Sequence, residues 1–149
     1  MCEQVVVVAK QDTKLPQLAG EAEVWIEPDE PQHPLAGVVH ALRTASARRI
    51  LVLACDMPLV PEALLRALLK AGSGAGAVAS SGDIAEPLCA CYTKQALQGL
   101  EHFTPDERAI DVVDRLGVAH LEWEDADAVL SINAPEDVIR AQVLLASRT

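Results

Sequence analysis

The run Ile50 to Cys55, ILVLAC, is apolar on both alternating faces, with Leu51, Leu53 and Cys55 on one side and Ile50, Val52 and Ala54 on the other. A strand with one wet face alternates apolar and polar residues. This pattern therefore predicts a strand covered on both sides, at the centre of a parallel sheet between two layers of helix. Strand-length apolar runs recur at VVVVA (Val5 to Ala9), EVWIE (Glu23 to Glu27), AVASS, PLCACY, VAHLEW and VLSI. Between them lie segments with leucine and valine at helical spacing: PLAGVVHALRTA (Pro34 to Ala45), PEALLRALLKA (Pro61 to Ala71), TKQALQGLEHF with Thr93 as N-cap, PDERAIDVVDRLG closed by Gly117, and APEDVIRAQVLLAS with Pro135 at its first position. Alternation of strands and helices predicts an α/β fold with a doubly wound, mostly parallel sheet. With 149 residues, 50% of them hydrophobic, and neither an internal repeat nor a clear linker, residues 1–149 read as one domain.

Charge and cysteine usage narrow the function classes. A net charge of -10 argues against nucleic acid or an anionic membrane as partner, since both need clustered Lys and Arg. No apolar run approaches the roughly 18 residues of a membrane span, and the start MCEQVVVVAK has no basic region ahead of a cleavable apolar stretch, so a cytoplasmic location is expected. None of Cys2, Cys55, Cys89 and Cys91 forms a C-x2-C pair. Cys89 and Cys91 share one face of a strand, where cysteine packs as a small hydrophobe, and core packing is the expectation for both.

Asp56 ends the ILVLAC run and is followed at Pro58 by proline. Open parallel sheets bind ligands beyond the carboxyl ends of their strands, and a carboxylate there suits Mg²⁺, which takes one or two protein carboxylates and completes its shell with water and phosphate oxygens. The other reading of Asp56 is a cap for the helix that begins near Pro61.

The segments VVVVA, WIEPDEPQHPLAGVVHAL, ILVLACDMPLVP, EPLCACY and SINAPEDV, in that order and spacing, resemble the molybdenum cofactor guanylyltransferase family, within the nucleotidyltransferase superfamily. The resemblance implies transfer of GMP from GTP to molybdopterin with release of pyrophosphate, assisted by Mg²⁺. It implies that Asp56 is the magnesium aspartate of the C-D-x-P block and that Gly37, in PLAG, is the glycine beside the nucleotide, where a side chain would block close approach. Asn133 matches an asparagine near the metal and phosphates, with a turn-shaping role as its alternative. Arg108 resembles a basic residue facing the pterin phosphate, and Glu86 one lining the pterin side; for both the alternative is an ordinary surface position.

Several positions depart from the family pattern. Ser131 and Ala134 stand where the family has asparagine and threonine, which removes one polar contact and one N-cap oxygen, and His33 stands where glycine is usual before PLAG. The family's glycine-rich phosphate loop has no counterpart, since AGSGAG (Ala71 to Gly76) connects a helix to the next strand, the reverse of strand, loop and helix. Compared with the family, the sequence begins about one βα unit, roughly 40 residues, inside the pattern. The family's sheet has a strand between those equivalent to VVVVA and ILVLAC. A gap is therefore expected there, filled by a rearranged strand or by a neighbouring chain in a homo-oligomer. The chain alone is expected to be inactive. Alternative functions are a non-catalytic molybdopterin-binding or interaction subunit, and a nucleotidyltransferase for another base or acceptor.

Overall fold

The computed structural model describes residues 2–18, 20 and 22–148. Two strands, β1 (Val6–Ala9) and β2 (Glu23–Ile26), pair in parallel with Val7 opposite Val24. The remaining strands are β3 (Arg49–Leu53), β4 (Gly76–Ser81), β5 (Ile84–Thr93) and β6 (Ala119–Glu122), and they form a four-stranded sheet in the order β3-β5-β4-β6. β5 runs antiparallel to β3 and β4, whereas β4 and β6 are parallel, so three of the four strands share one direction. The reversed strand follows from a tight hairpin, Gly82-Asp83, in which Gly82 has φ 58°.

Helices cover both faces, as the doubly wound expectation requires. On one face α1 (Pro34–Thr44) buries Leu35, Val38, Val39 and Leu42 against Val78, Ala90 and Tyr92, joined by Leu100 of α3 (Leu97–Leu100) and by Val112 and Val113 of α4 (Ala109–Asp114). On the other, Leu64 and Leu68 of α2 (Glu62–Ala71) pack on Ala77, Ala79, Cys89 and Cys91. Cys89 and Cys91 are therefore core residues, and small side chains on this face let the helix lie close to the sheet. Leu35, Leu42, Leu64, Leu68 and Leu100 expose no surface. Each such leucine contributes about 1.5–3 kcal/mol relative to an exposed one.

Local chemistry sets the helix ends. Pro34 opens α1 behind His33, whose Nδ1 accepts from the Leu35 N–H at 3.1 Å, and Lys94 Nζ donates to the carbonyls of Leu42 and Ala45 at its far end. The final helix, α5 (Pro135–Arg148), also begins on proline. Thr93 caps the turn Lys94–Ala96 by accepting from the Gln95 N–H, but the helix predicted there is short, as is α4. Thr104 and Glu107 hold a turn between them, with the Thr104 N–H donating to Glu107 Oε2 at 2.7 Å.

Two expectations are corrected and a third is narrowed. VLSI is not a strand: Asp125 caps a 3₁₀ turn, Ala126–Val129, and the next residues run extended without joining the sheet. β3 keeps its two-sided burial over Ile50, Leu51 and Val52, yet it is the edge of the four-stranded sheet rather than its centre, and Leu53 is 45% exposed. The expected gap lies between β1 and β3, but no strand among the described residues rearranges to fill it. Helix α1 spans the break, touching both β1 and β3.

Candidate functional site

Beyond Leu53 the chain turns at Cys55-Asp56, closed by the Met57 N–H donating to the Ala54 carbonyl at 3.3 Å and anchored by buried Met57 and Leu59. Asp56 does not cap α2. The N-cap is Pro61, no side chain caps it, and the Leu64 N–H bonds the Pro61 carbonyl at 3.0 Å. Instead Asp56 Oδ1 is buried with no hydrogen-bond partner. A buried acceptor left unpaired costs about 1–3 kcal/mol, more when charged, so its survival points to something the fold alone does not supply.

Two further segments converge on this turn. The Ile132 N–H donates to the Asp56 carbonyl at 2.8 Å, which brings Ser131 to Asn133 alongside. Asn133 is exposed, and its backbone N–H and that of Ala134 donate to Asp137 Oδ2 at 3.0 and 2.9 Å. These two bonds, Asn133's the larger, hold the Asp137 carboxyl below its usual range. Asp137 thus restores from inside α5 the N-terminal acceptor that threonine would have supplied at Ala134, a compensation sequence reading missed. Its only sequence signal is an acid three residues after the start of the turn.

Glu86 is half-buried at the head of β5. Burial chiefly, and the Asp56 charge secondarily, push its carboxyl up from the usual value. The two carboxylates are therefore close enough to feel each other. Burial and then Glu86 push the neighbouring Cys89 thiol up to about 11, so it remains a protonated thiol rather than a nucleophile.

Gly37 belongs to a different group. It faces β1 and the end of β2, where an added Cβ would lie 3.4 Å from Glu27 Oε2 and 3.6 Å from Val8 Cγ1. Glu27 Oε2 is a second buried, unpartnered acid oxygen, while Glu27 Oε1 is 3.7 Å from Lys10 Nζ. Arg108 stands at the N-cap of α4 with its side chain 75% exposed and 3.5 Å from Asp111, apart from the Asp56 turn in all its polar contacts. The adjacent Glu107 carbonyl accepts from His33 Nε2 at 2.8 Å. With Nδ1 accepting and Nε2 donating, His33 is a neutral structural cap that also stacks on Phe103 at 4.3 Å. A cavity of about 250 Å³ on the outer side of α1, lined in part by Pro28, His40, Arg43 and Phe103, contains none of the predicted site residues.

No group of three or more His, Cys, Asp or Glu side chains suited to a metal occurs among the described residues. A pair of carboxylates with a buried unpartnered oxygen fits Mg²⁺ nonetheless, since that ion draws most of its shell from water and phosphate. Two lysines are committed to backbone elsewhere, Lys10 to the carbonyls of Pro28 and Asp29 and Lys94 to the end of α1, whereas Arg148 donates to the Leu59 carbonyl at 2.8 Å in the Asp56 loop.

A molybdenum cofactor guanylyltransferase of Cereibacter sphaeroides is 35% identical over 122 residues, covering 78% of this chain and 63% of its own length. The chain thus spans 63% of the length of that relative. The crystal structure of molybdopterin-guanine dinucleotide biosynthesis protein A from Archaeoglobus fulgidus superposes with a TM-score of 0.69 at 27% identity, over 85% of this chain and 69% of that one. A 2-C-methyl-D-erythritol 4-phosphate cytidylyltransferase from Thermus thermophilus shares the fold, with a TM-score of 0.66 at 20% identity over 95% and 81% of the two chains. The model of the MobA-like NTP transferase domain matches residues 1–122, the part that contains Gly37, Asp56 and Glu86, and the chain belongs to that family.

Proposed function

We propose that this chain carries the metal-binding and acceptor-side portion of a nucleotidyltransferase of molybdenum cofactor biosynthesis, which moves GMP from GTP to molybdopterin. In that reaction a phosphate oxygen of molybdopterin forms a bond to the α-phosphorus of GTP, the bond from that phosphorus to the β-phosphate oxygen breaks, and pyrophosphate leaves. The observation that carries the reading is the unpartnered, buried Asp56 oxygen at the carboxyl end of β3, in a chain of this family. When bound, Mg²⁺ supplies charge neutralisation to the phosphates and the leaving group.

Asp56 anchors that ion, and the Ser131–Asn133 segment, fixed to the Asp56 carbonyl, presents its polar groups beside it. Gly37, packed against Glu27 and Val8, is the glycine at which a nucleotide would approach the backbone in this reading. Arg108, exposed at the start of α4, would reach a pterin phosphate by giving up a weak surface pair with Asp111. No covalent enzyme intermediate is required; positioning and electrostatics carry the rate.

A second reading, a molybdopterin-binding or interaction subunit, is favoured by the commitment of Lys10 and Lys94 to backbone carbonyls, which leaves little positive charge for a triphosphate. Calorimetric titration with GTP and Mg²⁺, followed by a pyrophosphate-release assay with molybdopterin, separates the two. The 149-residue chain alone is expected to bind GTP more weakly than micromolar. Supplied with the glycine-rich loop segment of a family member, it is expected to release pyrophosphate. Molybdopterin binding with no release in either form would establish the subunit reading.

A further inference from the structure

We propose that Arg148 is a positioning residue of the cation site: from the last turn of α5 it holds the loop that carries Asp56, without itself touching the ion. This rests on the reading of Asp56 as a cation ligand and goes beyond it by naming what fixes that ligand in place.

The loop is shaped by distant segments more than by itself. Between the end of β3 at Leu53 and the start of α2 at Glu62 the chain passes Pro58 and Pro61, neither of which has an N–H to donate. The Met57 N–H closes one turn onto the Ala54 carbonyl, and the Ala54 N–H ties the entry of the loop to the Leu88 carbonyl at 2.8 Å. Asp56 and Leu59 turn their carbonyls to segments far along the chain. The Asp56 carbonyl accepts from the Ile132 N–H at 2.8 Å, just before α5 begins. The Leu59 carbonyl accepts from Arg148 Nη1, also at 2.8 Å, where α5 ends. Asp56 and Leu59 are separated by at most about 10 Å of chain, so releasing the second anchor frees the stretch on which the first acts.

Apolar packing of α5 does not duplicate that hold. Ala141 is the buried residue of the helix, whereas Val138, Ile139, Val143 and Leu145 are exposed. Polar contacts attach it instead: Asp137 to the N–H groups of Asn133 and Ala134, Arg140 to Asp127, and Arg148 to Asp125 and Leu59. An exposed ion pair by itself contributes little. The bond to Leu59 differs, because a charged donor meets the carbonyl of a buried residue in a half-buried place, and charge-assisted hydrogen bonds are about twice as strong as neutral ones. Asp125 aims the guanidinium, taking Nη2 while Nη1 reaches Leu59, a planar fork that lysine cannot make. Asp125 is itself fixed, since it caps the turn Ala126–Val129, whose Ala128 and Val129 share a core cluster with Met57. The contacts close a ring through Met57, Val129, Asp125, Arg148 and Leu59, and Asp56 with its buried, unpartnered oxygen stands beside Met57 in that ring.

Two measurements on the 149-residue chain test this, one of them free of metal. Amide exchange by NMR reads the loop, and Mn²⁺ titration with free ion read by electron paramagnetic resonance reads the site. Arg148→Ala is expected to speed exchange of the Met57 amide by at least about tenfold while the Ala90 amide in β5 keeps its rate. The same variant is expected to weaken Mn²⁺ by about tenfold, as Asp56→Asn also should. Because Arg148 acts through Asp56, adding Arg148→Ala to Asp56→Asn is expected to cost no further affinity. Unchanged exchange at Met57 in Arg148→Ala overturns the proposal. Faster exchange with parental Mn²⁺ affinity, while Asp56→Asn weakens it, makes Arg148 merely structural and overturns the proposal while Asp56 keeps its role. A further loss in the double variant overturns it too, since Arg148 would then act by a route other than Asp56. No Mn²⁺ binding by the parent, or parental affinity in Asp56→Asn, overturns the reading of Asp56 and this inference with it. Should Arg148→Ala not fold, Arg148→Lys, which keeps the charge but not the fork, is expected to weaken Mn²⁺ measurably, and parental affinity in it overturns the proposal.

Discussion

Single residues in this chain show why matching a motif differs from placing a side chain. Asp56 is legible from its position after an apolar run, but its lack of a hydrogen-bond partner is not, because that depends on what Pro61, Ile132 and Glu86 do around it. In the protein supplied with a phosphate-loop segment, Asp56→Asn is expected to slow pyrophosphate release by at least about a hundredfold, because the ion is mispositioned. Its melting temperature should hold or rise; a large drop with activity intact would restore the capping role. Asp137 allows a test by pH. Its carboxyl is lowered by the Asn133 and Ala134 N–H groups, so the folded state holds the charged form more tightly than the unfolded state. The stability it contributes is present above the ordinary aspartate value and is lost as pH falls through the lower folded value. Asp137→Asn should therefore lower stability at neutral pH and flatten the acid limb of the stability profile, read by denaturant unfolding from neutral to acid pH.

At the scale of elements, hydrophobic periodicity located the strands and helices, and contacts between elements set their limits. Helix α1 matches its expected span because its start and stop are local: proline and a capping histidine at one end, and a lysine on the final carbonyls at the other. The segment Thr93 to Phe103 has the same kind of pattern but breaks into a 3₁₀ turn and a single short helix. There Gly99 packs so closely that an added Cβ would lie 2.1 Å from Leu116 Cδ2. The tightest approach to backbone is at the head of β4. Gly76 has φ 139°, and a Cβ on it would stand 2.2 Å from the Cys91 carbonyl oxygen, an atom that cannot step aside. Gly76→Ala is expected to destabilise the protein by at least about 2 kcal/mol, measured by urea unfolding, through strain and displacement of the β4–β5 ladder. Near-parental stability would show that β4 begins elsewhere.

For the whole molecule the decisive feature is a sheet in two pieces. β1 and β3 each present an outer edge with no strand paired to it among the described residues, and helix α1 touches both. Exposed Val5, Val24, Ile26 and Leu53 surround these strands. Unpaired apolar edges favour association with other strands. The chain is therefore expected to self-associate with rising concentration, by sedimentation velocity, and amides of β1 and β3 should gain protection from hydrogen exchange as it does so. A monomer at all concentrations, with those amides exchanging freely, would refute the edge pairing.

What the sequence determined by itself was every feature governed by near neighbours along the chain: the α/β alternation, the two apolar faces of ILVLAC, the core role of Cys89 and Cys91, the caps at Thr93 and Pro135, and the order of motifs that points to the family. These follow from periodicity and backbone chemistry, which act over a few residues. Only the tertiary structure decided that ILVLAC stands at a sheet edge, that VLSI is not a strand, that His33 is a cap bonded to Glu107, and that Glu86 pairs with Ala79 across a bulge while Gly37 packs on Glu27 and Val8. Each of these depends on which distant segments meet, and strand register, a bulge beside Pro87 and an unpaired edge are properties of pairs of segments that neither segment encodes alone.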